Sequence, residues 1–163
     1  MTVSRLLSQC NRSMWVMAGI LSSLSWRDKE DQETRRFRND EPVKVAHSHN
    51  FNKMVIESGR EALILFYSPS CIYCKRIAPV WEELGEKLQN EDVDIVKIDA
   101  SVNRWPRSVY RLDGVPTIYW KYASQPHKPI KYEGGRAVDD FIRYVSEMAP
   151  KELDGWDRKG RPK

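Results

Sequence analysis

Hydrophobic and polar positions change character twice before the chain settles into a domain. An apolar stretch at 14–21 fades through Ser22, Ser23, Leu24 and Ser25, and residues 27–41 are then almost all charged or polar. From Pro42 onward apolar residues recur with the periods of packed elements. Residues 43–46 read as a short strand. Residues 50–58 read as a helix capped by Ser48 and ended by Gly59. Residues 62–67 are apolar with little alternation, as in a strand covered on both faces. Residues 71–88 carry helical spacing, with Pro79 inside, where it removes a backbone bond and kinks the helix. A second strand alternates over 92–99 around Val93, Ile95, Val96 and Ile98. Residues 103–110 form a short helical segment interrupted by Pro106. Residues 117–122 form a strand, 130–133 its hairpin partner, and Gly134-Gly135 a turn. The last helix, 137–148, places Val138, Phe141, Ile142, Val145 and Met148 on one face. From Pro150 the chain is charged and reads as a loose tail.

The element order, β-α-β-α-β-α-β-β-α, begins with parallel crossovers and closes with a hairpin and a covering helix. That is an α/β class domain, a mixed central sheet flanked by helices on both faces. The pattern leaves the strand order open. The organisation is a targeting or anchoring segment at 1–25, a charged linker at 26–42, one domain at 43–149 and a charged tail at 150–163.

The 163 residues suit one domain with extensions, and no internal repeat is present. A net charge of +4 argues for solubility and against a nucleic-acid partner. The first residues carry Arg5 and Arg12 and no acid before Asp28. The apolar stretch is shorter than the ~20 residues of a membrane span. It fits a signal peptide, with Ser23 and Ser25 at −3 and −1 of a cleavage site. A signal anchor that tethers the protein to a membrane and a mitochondrial transit peptide are the alternatives.

Candidate chemistry narrows to one pair. Of three cysteines, Cys10 lies in the N-terminal segment; Cys71 and Cys74 stand at the seam between the 62–67 strand and the long helix. A Cys-x-x-Cys pair can close a disulfide within one turn. The first sulfur feels the free N–H groups and positive dipole end of the helix, which favours a thiolate and disulfide exchange. Small disulfide-stapled scaffolds spread many cysteines along the chain and are excluded. His47 and His49 with the cysteines would make a Cys₂His₂ zinc set, but the spacing matches no finger. No metal and no cofactor are expected.

Around that pair the chain resembles the thioredoxin fold, and most closely a single catalytic domain of the protein disulfide isomerase family. Phe66-Tyr67-Ser68-Pro69-Ser70-Cys71-Ile72-Tyr73-Cys74-Lys75 is similar to the family's active-site segment. Pro79 followed by Trp81 is similar to its helix proline, and Val115-Pro116-Thr117 to its cis-proline. Tyr132-Glu133-Gly134-Gly135-Arg136 resembles its turn before the last helix, and Asp99-Ala100-Ser101 the end of its central strand. The resemblance implies a thiol–disulfide oxidoreductase of the secretory pathway, in the endoplasmic reticulum lumen, acting on cysteine-containing client proteins. Cys71 would attack and Cys74 resolve. A cis Pro116 would bring the backbone of Val115 beside them for an extended client, with Ile72 and Tyr73 at the contact. Arg136 would favour the Cys74 thiolate.

The departures shape expectation. Ile72-Tyr73 replaces the family's Gly-His or Gly-Pro, and without a histidine there the Cys71 thiol is expected to be less strongly lowered than in some relatives. Ser70 stands where the family has Trp. Leu65 occupies the position of the family's buried acid, so resolution is expected to be slow unless water, Glu83 or Asp99 substitutes. These departures favour an alternative, a redox-weak binding module that holds client polypeptides.

Overall fold

The computed structural model describes residues 41–163. The apolar N-terminal stretch, Cys10 and nearly all of the charged linker lie outside the described residues. Strands β1 (Lys44–Ala46), β2 (Glu61–Tyr67), β3 (Val93–Asp99), β4 (Thr117–Tyr122) and β5 (Gln125–Lys131) form one mixed sheet in the order β1-β3-β2-β4-β5. Here β3 runs parallel to both β1 and β2, while β4 runs antiparallel to β2 and β5. The helices are α1 (Ile72–Leu88) and α2 (Val138–Met148).

The period of two along the strands sorts side chains onto opposite faces. Leu63 and Leu65 of β2 and Ile95 of β3 point to one face, where Ile77, Trp81, Leu84 and Leu88 of α1 and Phe141, Ile142 and Val145 of α2 bury them. Ile64 and Phe66 of β2 and Val96 and Ile98 of β3 point to the other, against Phe51, Val55, Tyr110 and Tyr119. The uniformly apolar β2 thus has both faces buried, as its composition requires. The chain enters β1 tightly against α1 because Gly85 has no side chain; a Cβ there would lie 2.9 Å from the Pro42 carbonyl oxygen.

Several local expectations are corrected. The segment before β2 is a single π-type helical turn, Asn52–Ile56, and Ser48 does not cap it. Instead the Asn50 carboxamide accepts the His47 N–H at 2.6 Å, while the Ser48 N–H donates to Asn103 at 2.9 Å and its hydroxyl accepts the Arg104 N–H at 2.8 Å. Ser48 therefore stitches two loops together. The segment 103–110 is not a helix: Pro106 withholds an N–H, and only one turn closes, with Val109 and Tyr110 both donating to its carbonyl. The second face of the sheet is accordingly covered by a short turn and an aromatic loop. Strand β5 begins at Gln125, earlier than expected, and ends at Lys131. Pro126 and Pro129 disguise it, and they are tolerated because β5 is an edge strand.

The chain after Pro150 is not a loose tail. Leu153 is buried in the helix-side core and Trp156 packs against it. The Glu91 carboxylate accepts the N–H groups of Asp154 at 2.7 Å and Gly155 at 2.8 Å. Arg158 donates to the carbonyls of Ser146 and Ala149 at the end of α2, and to Pro150. Those carbonyls lack intrahelical partners, so a guanidinium answers both their hydrogen-bonding need and the negative end of the dipole.

Candidate active site

The strand β2 ends in Tyr67, and Ser68-Pro69-Ser70 turn the chain into α1. Cys71 is the N-cap, with extended backbone at φ −80° and ψ 122°. Its N–H donates to the Ser68 carbonyl at 3.1 Å, and its own carbonyl accepts the Lys75 N–H at 3.1 Å. The first-turn N–H groups therefore face the Cys71 sulfur. Hydrogen bonding from the Cys74 backbone N–H, with help from the Cys74 thiol, the Tyr73 N–H and the Arg136 charge, holds the Cys71 thiol below its ordinary pKa. Cys74, one turn in, is 4% exposed. Burial pushes its thiol up, and the neighbouring Cys71 adds to that. Both cysteines are free thiols. The pair is thus split into an outer sulfur that ionises readily and an inner one that keeps its proton.

The Val115–Pro116 peptide is cis. Cys71 Sγ lies 3.5 Å from the Val115 carbonyl oxygen, to which its thiol donates when protonated. A cleft of about 740 Å³ opens beside it, with Tyr73, Val115, Pro116, Glu133 and Arg136 among its lining residues. Ile72 and Tyr73 protrude from the helix start, 60% and 59% exposed, and the Arg76 guanidinium stands 5.8 Å from the Tyr73 ring centre. The Tyr132 hydroxyl donates to the Gly135 carbonyl at 2.6 Å and holds the turn that carries Arg136 into the cleft. The fold therefore brings Tyr73, Val115, Pro116 and Arg136 around one cleft, with Cys71 against the Val115 carbonyl, Cys74 one turn below it and Ile72 exposed at the helix start.

The thioredoxin family model matches residues 42–147. The chain belongs to the thioredoxin family. It is 46% identical over 112 residues to protein disulfide-isomerase A3 of Gallus gallus, a match covering 68% of this chain and 22% of that protein. With a protein disulfide-isomerase of Datisca glomerata it shares 38% over 114 residues, covering 69% of this chain and 22% of the relative. The chain thus spans about a fifth of the length of these curated relatives. Among solved structures, the first thioredoxin domain of mouse protein disulfide-isomerase A4 superposes with a TM-score of 0.56 at 28% identity, over 68% of this chain and 80% of that domain.

Within this thioredoxin domain the histidines lie apart from the redox chemistry. His47 and His49 stack on one another at 5.6 Å, and among the described residues no cluster of His, Cys, Asp or Glu could hold a metal ion. Leu65 is 2% exposed beneath Cys74. Neither expected substitute acid reaches it. Glu83 faces Lys87 at 3.5 Å, and Asp99 accepts the Ser101 N–H at 2.9 Å and hydroxyl at 2.5 Å. The carboxylate on the lining of the pocket that Cys74 shares is Glu82, which sequence reading passed over. The signal was present in the helical spacing: Cys74, Ala78 and Glu82 recur every four residues and share a ridge.

The split between the thiols fixes a pH response. Each pH unit below a thiol's pKa costs about tenfold in thiolate. Iodoacetamide at neutral pH is expected to modify Cys71 in native protein well before Cys74, which reacts only on unfolding. Thermodynamically, the lowered Cys71 pKa stabilises the reduced fold above the ordinary thiol pKa, and this is lost as pH falls through the lowered value. The raised Cys74 pKa acts oppositely and costs stability as pH rises. Mass spectrometry of alkylated peptides across pH checks the order; equal labelling of both cysteines in the native state would contradict it.

Proposed function

We propose that this domain is a dithiol–disulfide oxidoreductase acting on cysteines of client proteins. What supports the reading is the asymmetric pair: Cys71 ionisable at a helix start beside the Val115 carbonyl, and Cys74 protonated one turn below. The Cys71 thiolate attacks a client disulfide. A Cys71–client bond forms, and the second client sulfur leaves as a thiolate and takes a proton from solvent. Cys74 then attacks Cys71, the Cys71–client bond breaks, and the Cys71–Cys74 disulfide is left. The client gains two electrons and the domain loses them; the reverse course oxidises a client.

Client backbone is bound along Val115 and Pro116 as an added extended segment. Ile72 and Tyr73 supply apolar contact, and Arg136 lowers the cost of a Cys74 thiolate. The relatives named as protein disulfide isomerases support a place in the endoplasmic reticulum lumen. A membrane tether or a mitochondrial location would follow from a different use of the N-terminal stretch. Among the described residues no helix is long and apolar enough to cross a membrane.

Insulin reduction and refolding of scrambled ribonuclease test the activity. The reduction potential of the Cys71–Cys74 couple is expected between ~−270 and ~−180 mV, the span from thioredoxin to protein disulfide isomerase. The apolar Leu65 beneath Cys74 favours one second reading, a module that binds clients with little turnover; client binding with no reduction in either assay would select it.

A further inference from the structure

Resolution needs a destination for the Cys74 proton, and the wall nearest that sulfur is apolar. Below Cys74 lies a cavity of about 80 Å³ lined by Leu65, Tyr67, Cys74, Trp81, Glu82 and Lys97, among others. It is roomy enough for water and offers the polar partners a buried water needs. Trp81, on its lining, has an indole N–H that is buried with no protein acceptor. Lys97 stands beside Leu65 in the parallel register of β2 and β3. With leucine there, Lys97 reaches across to α1 instead and meets Glu82 at 2.5 Å. The lysine is 26% exposed and the glutamate 51%, so the pair stands between the cavity and solvent.

We propose that Glu82, positioned by Lys97, accepts the Cys74 proton through a short chain of waters in this cavity during resolution. The inference rests on the oxidoreductase reading and deepens it. In the step, Cys74 Sγ–H gives its proton to the nearest water of the chain, and the last water passes one to the Glu82 carboxylate. The Cys74 thiolate attacks Cys71 Sγ, the Cys71–client bond breaks with its electron pair on the client sulfur, and Glu82 returns its proton to solvent. In the reverse direction Glu82 supplies the proton. The carboxylate has moved from the sheet to the helix and lies at the cavity's solvent side, where it re-equilibrates without crossing the core. The other charged and titratable groups facing Cys74 are Cys71 at the helix start and Arg136 before α2; Tyr67 of β2, in turn, feels Asp99 and Lys97 of β3, Glu82 and Cys74.

The two steps separate in the reaction of the reduced full chain, carrying Cys10→Ser so that the third thiol releases nothing, with 5,5′-dithiobis(2-nitrobenzoate). Attack by Cys71 releases the first thionitrobenzoate, and resolution by Cys74 releases the second. Glu82→Gln is expected to leave the first phase unchanged and slow the second about a hundredfold at pH 7, the low end for a positioned acid–base group. The second phase should also become steeply pH-dependent, falling about tenfold per unit below the Cys74 pKa. Glu82→Asp should recover part of the rate, and Glu83→Gln should change neither phase. A second phase in Glu82→Gln with native rate and pH profile, the first phase intact, overturns the proposal and leaves the oxidoreductase reading standing. Absence of the first phase from the Cys10→Ser chain with Glu82 intact overturns both.

Discussion

Cys74→Ser is expected to convert the protein into a trap. Cys71 keeps its place at the helix start and its attack is undiminished. Serine cannot expel the captured sulfur, so release falls to external thiols. An intramolecular thiol one turn away acts at an effective concentration far above any free thiol, so turnover should fall on the order of a thousandfold or more. Mixed disulfides with clients should accumulate as slower bands on non-reducing gels and vanish on reduction. With Cys10→Ser in both variants, Cys71→Ser should yield none, because Cys74 is 4% exposed and its thiol is pushed up by burial. Equal adducts from both variants would mean that the outer and inner roles are assigned wrongly. No adduct from either would remove the redox reading altogether.

Deleting residues 150–163 carries the largest expected effect on stability. It uncovers the pocket filled by Leu153 and takes away Trp156. Full burial of a leucine side chain contributes about 1.5–3 kcal/mol. Glu91 loses both N–H donors, but water takes their place once the covering segment is gone, so this change adds little. The carbonyls at the end of α2 lose Arg158. Together these predict a loss of about 2–4 kcal/mol and a fall in Tm of roughly 10 °C. Urea or thermal unfolding by circular dichroism measures it. A truncated protein as stable as the intact chain would mean that the segment is the solvated tail its charge suggests. Because α2 and α1 share one core, the loss should be seen globally rather than as fraying of the last helix.

The redox pair was legible because its information is local. Cys-x-x-Cys, the apolar run before it and the amphipathic run after it place a sulfur at a helix start through backbone geometry alone. Pro116 and Arg136 were legible only through the resemblance, since they lie far from Cys71 in the chain and nothing near them names a partner. The misread elements share a cause. Ser48 has the chemistry of a cap, yet Asn103 and Arg104 compete for it from across the fold. Strand β5 is polar and proline-bearing, and pairing with β4 overrides its poor propensity. The segment after Pro150 is as charged as a tether, but a few apolar residues and Arg158 find sites that α2 and Glu91 had prepared.

By itself the sequence determined the class of fold, the strand and helix that frame the cysteines, and which sulfur stands outward. Those follow from hydrophobic period and from the short-range field of a helix end, and both act within a few residues. Only the tertiary structure decided which carboxylate lines the pocket beside Cys74, how the second face of the sheet is covered, and that the C-terminal segment is part of the core. Lys97 illustrates the reason: its choice of Glu82 depends on a register between strands and a helix crossing above them. Contacts of that kind are set by packing in three dimensions, and no local pattern along the chain encodes them.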